Sequence, residues 1–448
     1  MKNKLFLIYV SITIIAVFFI LNSCSEDDFE DETLQSIDPF NNNNGGDERT
    51  LIVVMSDMHL GANLDYSECK DNLPSLEKLL NQIKSSQYVK EIVIAGDLLD
   101  EWFVPASIDT YQGKDQADFV RRIAITNKGV FDVLNSIIQG KKIKVTYVPG
   151  NHDLTISEEN VELVLPGIKQ VRDNVLGLGT YSPDGYPEIA IEHGHRYNFF
   201  CAPDPFSNQD IAPGSITPPG YFFTRIGALH VSQECPAAGD TALLVTQNTS
   251  GDVSQDLLFT YWKIWNWAIN YLTIENKFDE KIIVTNIDGF TGSYAVNDLL
   301  PFQTSPGGFI DVNLYNGIQD NWGQRQVYNH VPVIIPTLQA IAGSASAGAL
   351  DSQAKIQYFL NPDSDARIVV FGHTHVPTIE ASVNHIGQKS IYANSGTWID
   401  HNPLDTITAM NFIVITPQNN DVPSQTHVKL YSFKNETITE IAADSLEL

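Results

Sequence analysis

The chain is poor in basic residues, with 27 Lys and Arg against 54 Asp and Glu among its 448 residues and a formal net charge of −27. This charge repels polyanions at long range and therefore argues against an extended DNA- or RNA-binding surface. An acidic exported protein is the simplest explanation, because net charge reports on solubility and partners rather than on fold.

Cysteine is also scarce, with four residues in the chain. Setting aside Cys24, which follows the N-terminal apolar run, leaves Cys69, Cys201 and Cys235. In an oxidising compartment this odd number allows at most one internal disulfide. Cys201 and Cys235 share one region and are the better candidate pair, although sequence does not fix their geometry. The cysteine spacing indicates no zinc site.

The first 23 residues form a targeting segment, in which Lys2 and Lys4 precede an apolar run from Leu5 to Leu21. This pattern is typical of an export signal. The run is also barely long enough to span a bilayer, so an uncleaved anchor is the competing interpretation.

Leu21-Asn22-Ser23-Cys24 resembles the bacterial lipobox, apart from Asn22. The resemblance implies that Cys24 is acylated and becomes the new N-terminus. The acidic residues 25–28 also resemble a signal for surface display, with a solvated tail as the alternative. We expect an outer-membrane lipoprotein on the periplasmic side or the cell surface, attached to the membrane through its N-terminal lipid.

Composition divides the remaining chain into four segments. Residues 24–48 are acidic and polar, with too few apolar residues to fold, and are predicted to be a flexible tether. Residues 49–199 alternate apolar runs with helical periodicity, and residues 366–448 resume this pattern. Residues 200–365 are irregular and rich in Pro and Gly, which predicts an inserted cap.

Three apolar runs, at about residues 51–55, 91–95 and 143–148, alternate with amphipathic helices. This order predicts βαβ units and a parallel sheet, whose strands end at one common edge. Further strands are expected at 188–191 and 367–371. Later apolar segments, 390–393, 411–415 and 427–433, are predicted to complete a second sheet.

A polar cluster follows each of five apolar runs. The clusters are D-x-H at Asp57 and His59, G-D-x-x-D at 96–100, G-N-H-D at 150–153, H-G-H at 193–195 and G-H-T-H at 372–375. In this order they resemble the calcineurin-like metallophosphoesterase superfamily, over roughly residues 50–199 and 366–433. The resemblance implies an α/β fold, a four-layer α/β/β/α sandwich, in which residues 200–365 are a large inserted cap region.

The resemblance also implies a dinuclear metal site. Two divalent ions about 3.5–4 Å apart need a bridging carboxylate and can clamp a phosphoryl oxygen. By resemblance Asp97 is the bridge, the first ion is also held by Asp57, His59 and His375, and the second by Asn151, His193 and His373. These nitrogen and oxygen ligands suit Mn, Fe or Zn better than Ca or Mg.

The expected reaction is hydrolysis of a phosphoester or pyrophosphate by a metal-bound hydroxide. The resemblance makes His152 the group that protonates the leaving oxygen or stabilises phosphoryl charge, and hence the candidate general acid. Asp100 matches the carboxylate that orients that imidazole. The alternative role for Asp100 is a helix N-cap.

The segments 96–102 and 394–398 are most similar to the branch containing UDP-2,3-diacylglucosamine hydrolases, which cleave a pyrophosphate. This chain has His195 where that branch carries Asp, and its insertion is long and aromatic. Its export signal also directs it away from the cell interior, where that enzyme works. The chemistry is therefore carried over and the substrate is not; we expect a phosphorylated small molecule or a phospho- or pyrophosphodiester.

The insertion contains an aromatic helix, predicted near residues 256–273, that holds three of the six Trp residues. Such a helix is either the core of the cap or a platform for a sugar, nucleobase or acyl group. His195, Arg196 and Arg225 are candidate substrate-binding residues, because Arg can bind phosphate bidentately. Ordinary ion pairs are the alternative for both arginines.

Two other functions remain open from the sequence. The first is an exported nuclease of the same superfamily, since metals make a site locally positive despite the acidic chain. The second is a non-catalytic surface lipoprotein that binds a glycan or lipid through the cap. The complete ligand set and His152 favour the enzyme.

Overall fold

The structure is a computed structural model that describes residues 36–41, 43–173, 175–237, 240–400, 409–419 and 424–448. The predicted targeting segment and Cys24 lie outside these residues. Within them, no helix combines the length and the apolar character needed to cross a bilayer.

Strands and helices alternate in the first part of the described chain, and a helical region separates it from a strand-rich C-terminal part. The strands are β1 Leu51–Met55, β2 Val89–Ala95, β3 Lys144–Val148, β4 Lys169–Gln170, β5 Ile189–Ile191, β6 Ile283–Val284, β7 Ser293–Tyr294, β8 Phe302–Gln303, β9 Ile310–Asp311, β10 Ile368–Phe371, β11 Thr378–Val383, β12 Lys389–Asn394, β13 Asn411–Thr416, β14 Thr426–Lys434 and β15 Thr437–Leu446. The helices are α1 Leu73–Ser85, α2 Gln116–Thr126, α3 Lys128–Gly140, α4 Glu158–Val164, α5 Pro219–Ser232, α6 Val253–Tyr271, α7 Val296–Leu299, α8 Ile318–Tyr328, α9 Thr337–Gly343 and α10 Ala347–Asp351.

The larger sheet has seven strands in the order β15-β14-β13-β1-β2-β3-β4. Strands β1 to β4 are parallel, and β1 is fully buried. Helix α1 has a Pro in its first turn and buries four residues at helical spacing against the sheet, Leu76, Leu79, Leu80 and Ile83. The predicted parallel βαβ arrangement is confirmed, and the polar segments after β1, β2 and β3 lie at one sheet edge.

The smaller sheet has the order β11-β12-β10-β5, with β5, β10 and β12 parallel. The prediction that 411–415 and 427–433 belong to a second sheet is wrong. Strand β13 pairs antiparallel with β1, Ile52 opposite Ile415, and β14 pairs with β13. Buried strands show the same apolar pattern in either sheet, so local sequence does not specify the partner strand.

The two sheets pack face to face through one apolar cluster, which includes Ile52 and Val93 from the larger sheet and Ile191 and Val370 from the smaller. Helices α1 and α3 cover the outer face of the larger sheet. The insertion covers the outer face of the smaller sheet, where Phe371 joins the cluster formed by α5, α6 and α8. The protein is therefore an α/β sandwich with four layers, α/β/β/α, as predicted.

Two further expectations are not met. The described part of the predicted tether, residues 36–41 and 43–48, lies against the core: Phe40 is buried and its ring stacks on Phe412, 5.7 Å away. Backbone and side-chain hydrogen bonds, such as Ile37 N–H to the carbonyl of Ile438 and Asn44 to the carbonyl of Pro417, also attach this polar segment to the core. Cys69, Cys201 and Cys235 are free, so the suggested pairing of Cys201 with Cys235 is absent from the described residues.

Candidate metal centre

The loops that follow the central strands have an unusual backbone at the predicted ligands. Asp57, His59, Asp97, His373 and His375 all have positive φ values, between 45° and 69°. Side chains larger than glycine adopt this conformation only where the surrounding structure enforces it, and such strain concentrates at functional sites. The backbone is therefore shaped so that these side chains converge.

Two motif glycines make the convergence sterically feasible. Gly96 has a φ of 94°, and a Cβ atom at this position would overlap the imidazole of His193. A Cβ atom at Gly372 would overlap the carboxylate of Asp57. These glycines allow backbone from both sheets to approach the ligands closely.

Asp57, His59 and His375 form one group of potential ligands. The Nε2 atom of His375 lies 3.1 Å from Oδ1 of Asp57 and 3.2 Å from Nε2 of His59. Asp97 is adjacent, with its Oδ2 atom 3.6 Å from Nε2 of His59. These are the four side chains predicted for the first ion.

Asp97 also belongs to a second group, with Asp57 and His193. Its Oδ2 atom lies 3.1 Å from Nε2 of His193, which in turn lies 3.1 Å from Oδ1 of Asn151. The ring of His373 is 5.2 Å from that of His193, and its backbone N–H donates to the Asp57 carboxylate. The structure thus brings all seven predicted ligands together, with Asp97 between the two groups.

The donor set fits divalent cations on electrostatic grounds. Asp57, Asp97 and Asp100 are all buried, and in the described part of the chain none of them pairs with a Lys or Arg side chain. Burial opposes ionisation of Asp57 and Asp97, but the positive charge of His193, together with the charges and hydrogen bonds of other nearby histidines, lowers the pKa of both carboxyls. Buried anions that lack other cations are suited to metal binding.

The two imidazoles of the second group differ in charge. Burial opposes protonation of both, but Asp97 and Asp57 overcome this at His193 and raise its pKa to about 9. Burial dominates at His373, where the nearby charge of His193 adds to it, and lowers the pKa to about 3. His373 is therefore a neutral nitrogen donor as it stands, whereas His193 must release a proton to ligate a metal.

His152 lies beside the ligands rather than among them. Its Nδ1 atom is 2.9 Å from Oδ1 of Asp100, and its ring stacks on Trp102 at 4.9 Å. Burial opposes ionisation of Asp100, but the charge of His152 and their hydrogen bond lower its pKa. Asp100 also accepts backbone N–H bonds from Trp102 and Phe103, but no described helix begins there, so the alternative role as a helix N-cap is wrong.

Sequence reasoning missed three residues that support the ligands. Oε2 of Glu68 lies 3.1 Å from Nδ1 of His59. Asp153, the last residue of G-N-H-D, accepts backbone N–H bonds from residues 98, 99 and 150 and so ties two ligand loops together. Nδ2 of Asn198 lies 3.0 Å from Nε2 of His373. Only Asp153 carried a signal, its place in the motif.

The three predicted substrate-binding residues are placed elsewhere, which corrects those assignments. The Arg225 guanidinium is fully buried and donates to carbonyl oxygens of residues 104, 105 and 284, among others. Arg196 pairs with Glu192 at 2.8 Å. His195 is buried behind His193 and His373, and neither ring nitrogen has a hydrogen-bond partner among the described residues. Burial lowers the pKa of His195 and keeps it neutral.

A cavity of about 250 Å³ opens beside the ligands, lined by Asp97, Asn151, His152, His373 and His375 on one side. The aromatic helix, α6, takes part in its other wall. One face of α6 is cap core, where Tyr261 and Trp265 are buried, while Ile264 and Trp267 line the cavity. The cap-core interpretation therefore holds for Tyr261 and Trp265, and a platform for a ligand at Trp267 stays a prediction.

A two-sheet α/β sandwich with buried Asp and His groups at its strand ends supports a metallophosphoesterase. The sequence model of the calcineurin-like phosphoesterase family matches residues 50–220, under half of the chain. This part of the chain, which is similar to that family, contains five of the seven predicted ligands; His373 and His375 lie beyond it. No curated protein matches the chain.

Proposed function

We propose that this protein is a metal-dependent phosphoesterase that hydrolyses a phosphoester or pyrophosphate bond with two divalent ions. The observation that carries the proposal is the convergence of seven Asp, Asn and His side chains, from both sheets and five of them buried, beside a cavity that His152 also lines. When bound, divalent ions neutralise phosphoryl oxygens and lower the pKa of a coordinated water.

The residues divide the work by position. Asp97 lies between the two ligand groups and would contribute to both; Asp57, His59 and His375 would complete one group, and Asn151, His193 and His373 the other. Asp100 accepts the Nδ1 proton of His152 and fixes the ring against Trp102. His152 can then donate a proton from Nε2 to the leaving oxygen, as a general acid.

The test is Asp97→Asn in the signal-less protein, with metal content measured beside turnover of bis(nitrophenyl) phosphate. We expect loss of bound metal and at least about a thousandfold loss of turnover, because one ligand to each ion is removed. Asp118→Asn, at a partly exposed carboxylate on α2 that pairs with Lys114 and Arg122 outside the cavity lining, is the control and should keep both. Wild-type activity in the Asp97→Asn variant would refute the mechanism.

Metal identity and substrate need a panel. Metal content should identify Mn, Fe or Zn, and phosphomonoesters, diesters, phospholipids and UDP-sugars test the scissile bond, including the pyrophosphate suggested by resemblance to UDP-2,3-diacylglucosamine hydrolases. Two bound metals without hydrolysis of any member would instead support the binding-protein alternative.

The nuclease alternative gains no support from the cavity, where no Lys or Arg is among the described lining residues. Digestion of single-stranded DNA by the protein in the presence of Mn would support the nuclease alternative.

We also propose that the protein is exported and acylated at Cys24, on the lipobox resemblance. Radiolabelled fatty acid should be incorporated by the full-length chain and lost in Cys24→Ser. Cell fractionation should show the label in the outer membrane, and protease treatment of intact cells distinguishes the cell surface from the periplasm.

A further inference from the structure

The cavity at the centre has two chemically different sides. One side consists of metal ligands and His152. The opposite side is dominated by apolar side chains, most of them from the insertion, namely Trp102, Phe200, Phe223, Ile264 and Trp267. A group attached to a phosphoryl bound at the ligands would therefore contact an apolar wall.

The wall is available to a ligand. Phe200, Phe223 and Ile264 are only partly buried, and Trp267 is 53% exposed. Phe200, Phe223 and Ile264 pack against the cap core, with the Phe223 ring 4.4 Å from that of Trp265. The surface is thus both pre-formed and incompletely covered, the condition under which an apolar ligand gains most from burial.

The wall also lacks positive charge. In the described lining no Lys or Arg is present. The guanidiniums of Arg225 and Arg325 lie behind it and hold cap and core backbone, Arg325 through the carbonyl oxygens of Phe199 and Ala202. The described lining also contains Asn198, Thr224 and Ser344 but no cation, so a second phosphate would find no charged partner there, whereas an alkyl or aryl group would find many apolar contacts.

We propose that the cavity selects phosphoesters whose esterified alcohol is apolar, alkyl or aryl, with that group against Trp102, Phe223, Ile264 and Trp267. This inference rests on the proposed function for the position of the phosphoryl group. It excludes nucleotides and sugar nucleotides as preferred substrates.

The test is a homologous series of ethyl, butyl and hexyl phosphates, as monoesters and as methyl diesters, with product followed by phosphorus NMR. The leaving alcohols have similar acidity, so differences in kcat/KM report on binding of the chain. We expect kcat/KM to rise up to about fourfold per methylene, equivalent to about 0.8 kcal/mol. The phenylpropyl ester tests whether an aryl group is also preferred.

The matched control substrate has the length of the hexyl ester but two ether oxygens in place of methylenes. The kcat/KM of this control substrate should fall well below that of the hexyl ester. The proposal would be overturned if kcat/KM did not change with alkyl chain length. It would also be overturned if the ether ester or a thymidine ester had a higher kcat/KM than the hexyl ester.

Variants locate the effect. Phe223→Ala and Ile264→Ala should reduce the dependence on chain length, whereas Phe309→Ala, at a 66% exposed side chain outside the cavity lining, should leave the series unchanged. If kcat/KM depended on chain length as in wild type in both cavity variants, with folding verified by circular dichroism, these residues would not form the apolar wall.

Binding separates this proposal from the proposed function. Calorimetry of the metal-loaded protein with ethyl- to hexylphosphonate, which cannot be hydrolysed at the P–C bond, should show Kd tightening with chain length. If the Kd series tightens while no ester is hydrolysed, the proposed function fails and the apolar subsite stands. If esters are hydrolysed but neither series depends on chain length, the subsite fails and the function stands.

Discussion

The carboxylate of Asp100 holds Nδ1 of His152 at 2.9 Å, while its second oxygen lies 3.1 Å from Nδ1 of His59. One buried anion thus orients both the candidate acid and a candidate metal ligand. Substitution at Asp100 is therefore expected to affect proton transfer and metal binding together, whereas substitution of His152 should separate them.

His152→Ala should discriminate between leaving groups. An alkoxide must be protonated as it leaves, so its ester should lose about 10²–10⁴-fold in kcat, the usual contribution of a general acid. Nitrophenolate leaves without a proton, and its ester should lose far less. The measurement is kcat for matched alkyl and nitrophenyl esters at verified metal content. Equal losses for both esters would exclude His152 as the acid.

Glu68→Gln should weaken metal binding without touching the cavity. Its carboxylate lies 3.1 Å from Nδ1 of His59, and removing such a partner of a ligating imidazole typically costs about 10–100-fold in metal affinity. Competition with a chelator measures the change in Kd. Glu91→Gln removes an equally buried carboxylate that bonds Tyr181 instead, and should lower stability but not metal affinity. The prediction fails if both variants bind metal alike.

Arg225→Lys should destabilise the fold and spare catalysis. A lysine keeps the charge but cannot replace the several carbonyl contacts of the buried guanidinium, so we expect the free energy of unfolding to fall by at least about 3 kcal/mol. The KM of the folded fraction should stay within about twofold of wild type. Arg121→Lys, at an exposed position of α2, serves as control for denaturant titration. A raised KM at unchanged stability would restore the substrate-binding role.

Asp351→Asn should alter the pH dependence of stability. Asp351, at the end of α10, is buried, and burial raises its pKa to about 6 despite hydrogen bonds from Tyr392 and Thr374. Because the unfolded value is near 3.8, the folded state binds an extra proton between about pH 4 and 6, and wild-type stability falls as pH rises through this window.

The variant lacks this titration, so its stability relative to wild type should rise from pH 4 to pH 6, by at most about 3 kcal/mol. Urea unfolding across this range is the measurement. Asp363→Asn, at an exposed carboxylate, controls for the lost charge. A stability difference between Asp351→Asn and wild type that is constant from pH 4 to pH 6 would contradict the assignment.

The ligands could be predicted from sequence because their motifs resemble, in the same order, those of a known superfamily, and because each motif follows an apolar strand. A buried apolar strand such as β1 is recognisable by itself, and Asp57 and His59 directly follow it. The parallel order of β1 to β3 then places their ends at one edge. Strand partners were less accessible, since β13 has the same apolar character wherever it pairs, and only the packed sheets decide that it lies beside β1.

The roles of residues outside the motifs could not be predicted from the sequence. Residue type identified Arg225 as a phosphate-binding candidate, but the direction of its side chain depends on the loop at 104–108, which it crosslinks. Glu68 and Asn198 reach the ligands from segments without any repeating pattern. Their contacts are tertiary, and a linear sequence contains no spacing that reports them.

The Asp57 carboxylate receives the backbone N–H of His373, 316 positions later in the chain. The ribosome synthesises the first ligand long before the last. Strand β1 has neighbours on both edges only once β13 has been synthesised. The proposed ligand set therefore cannot be complete until His375 has been synthesised. Full affinity of the proposed site for metal requires most of the chain to be present.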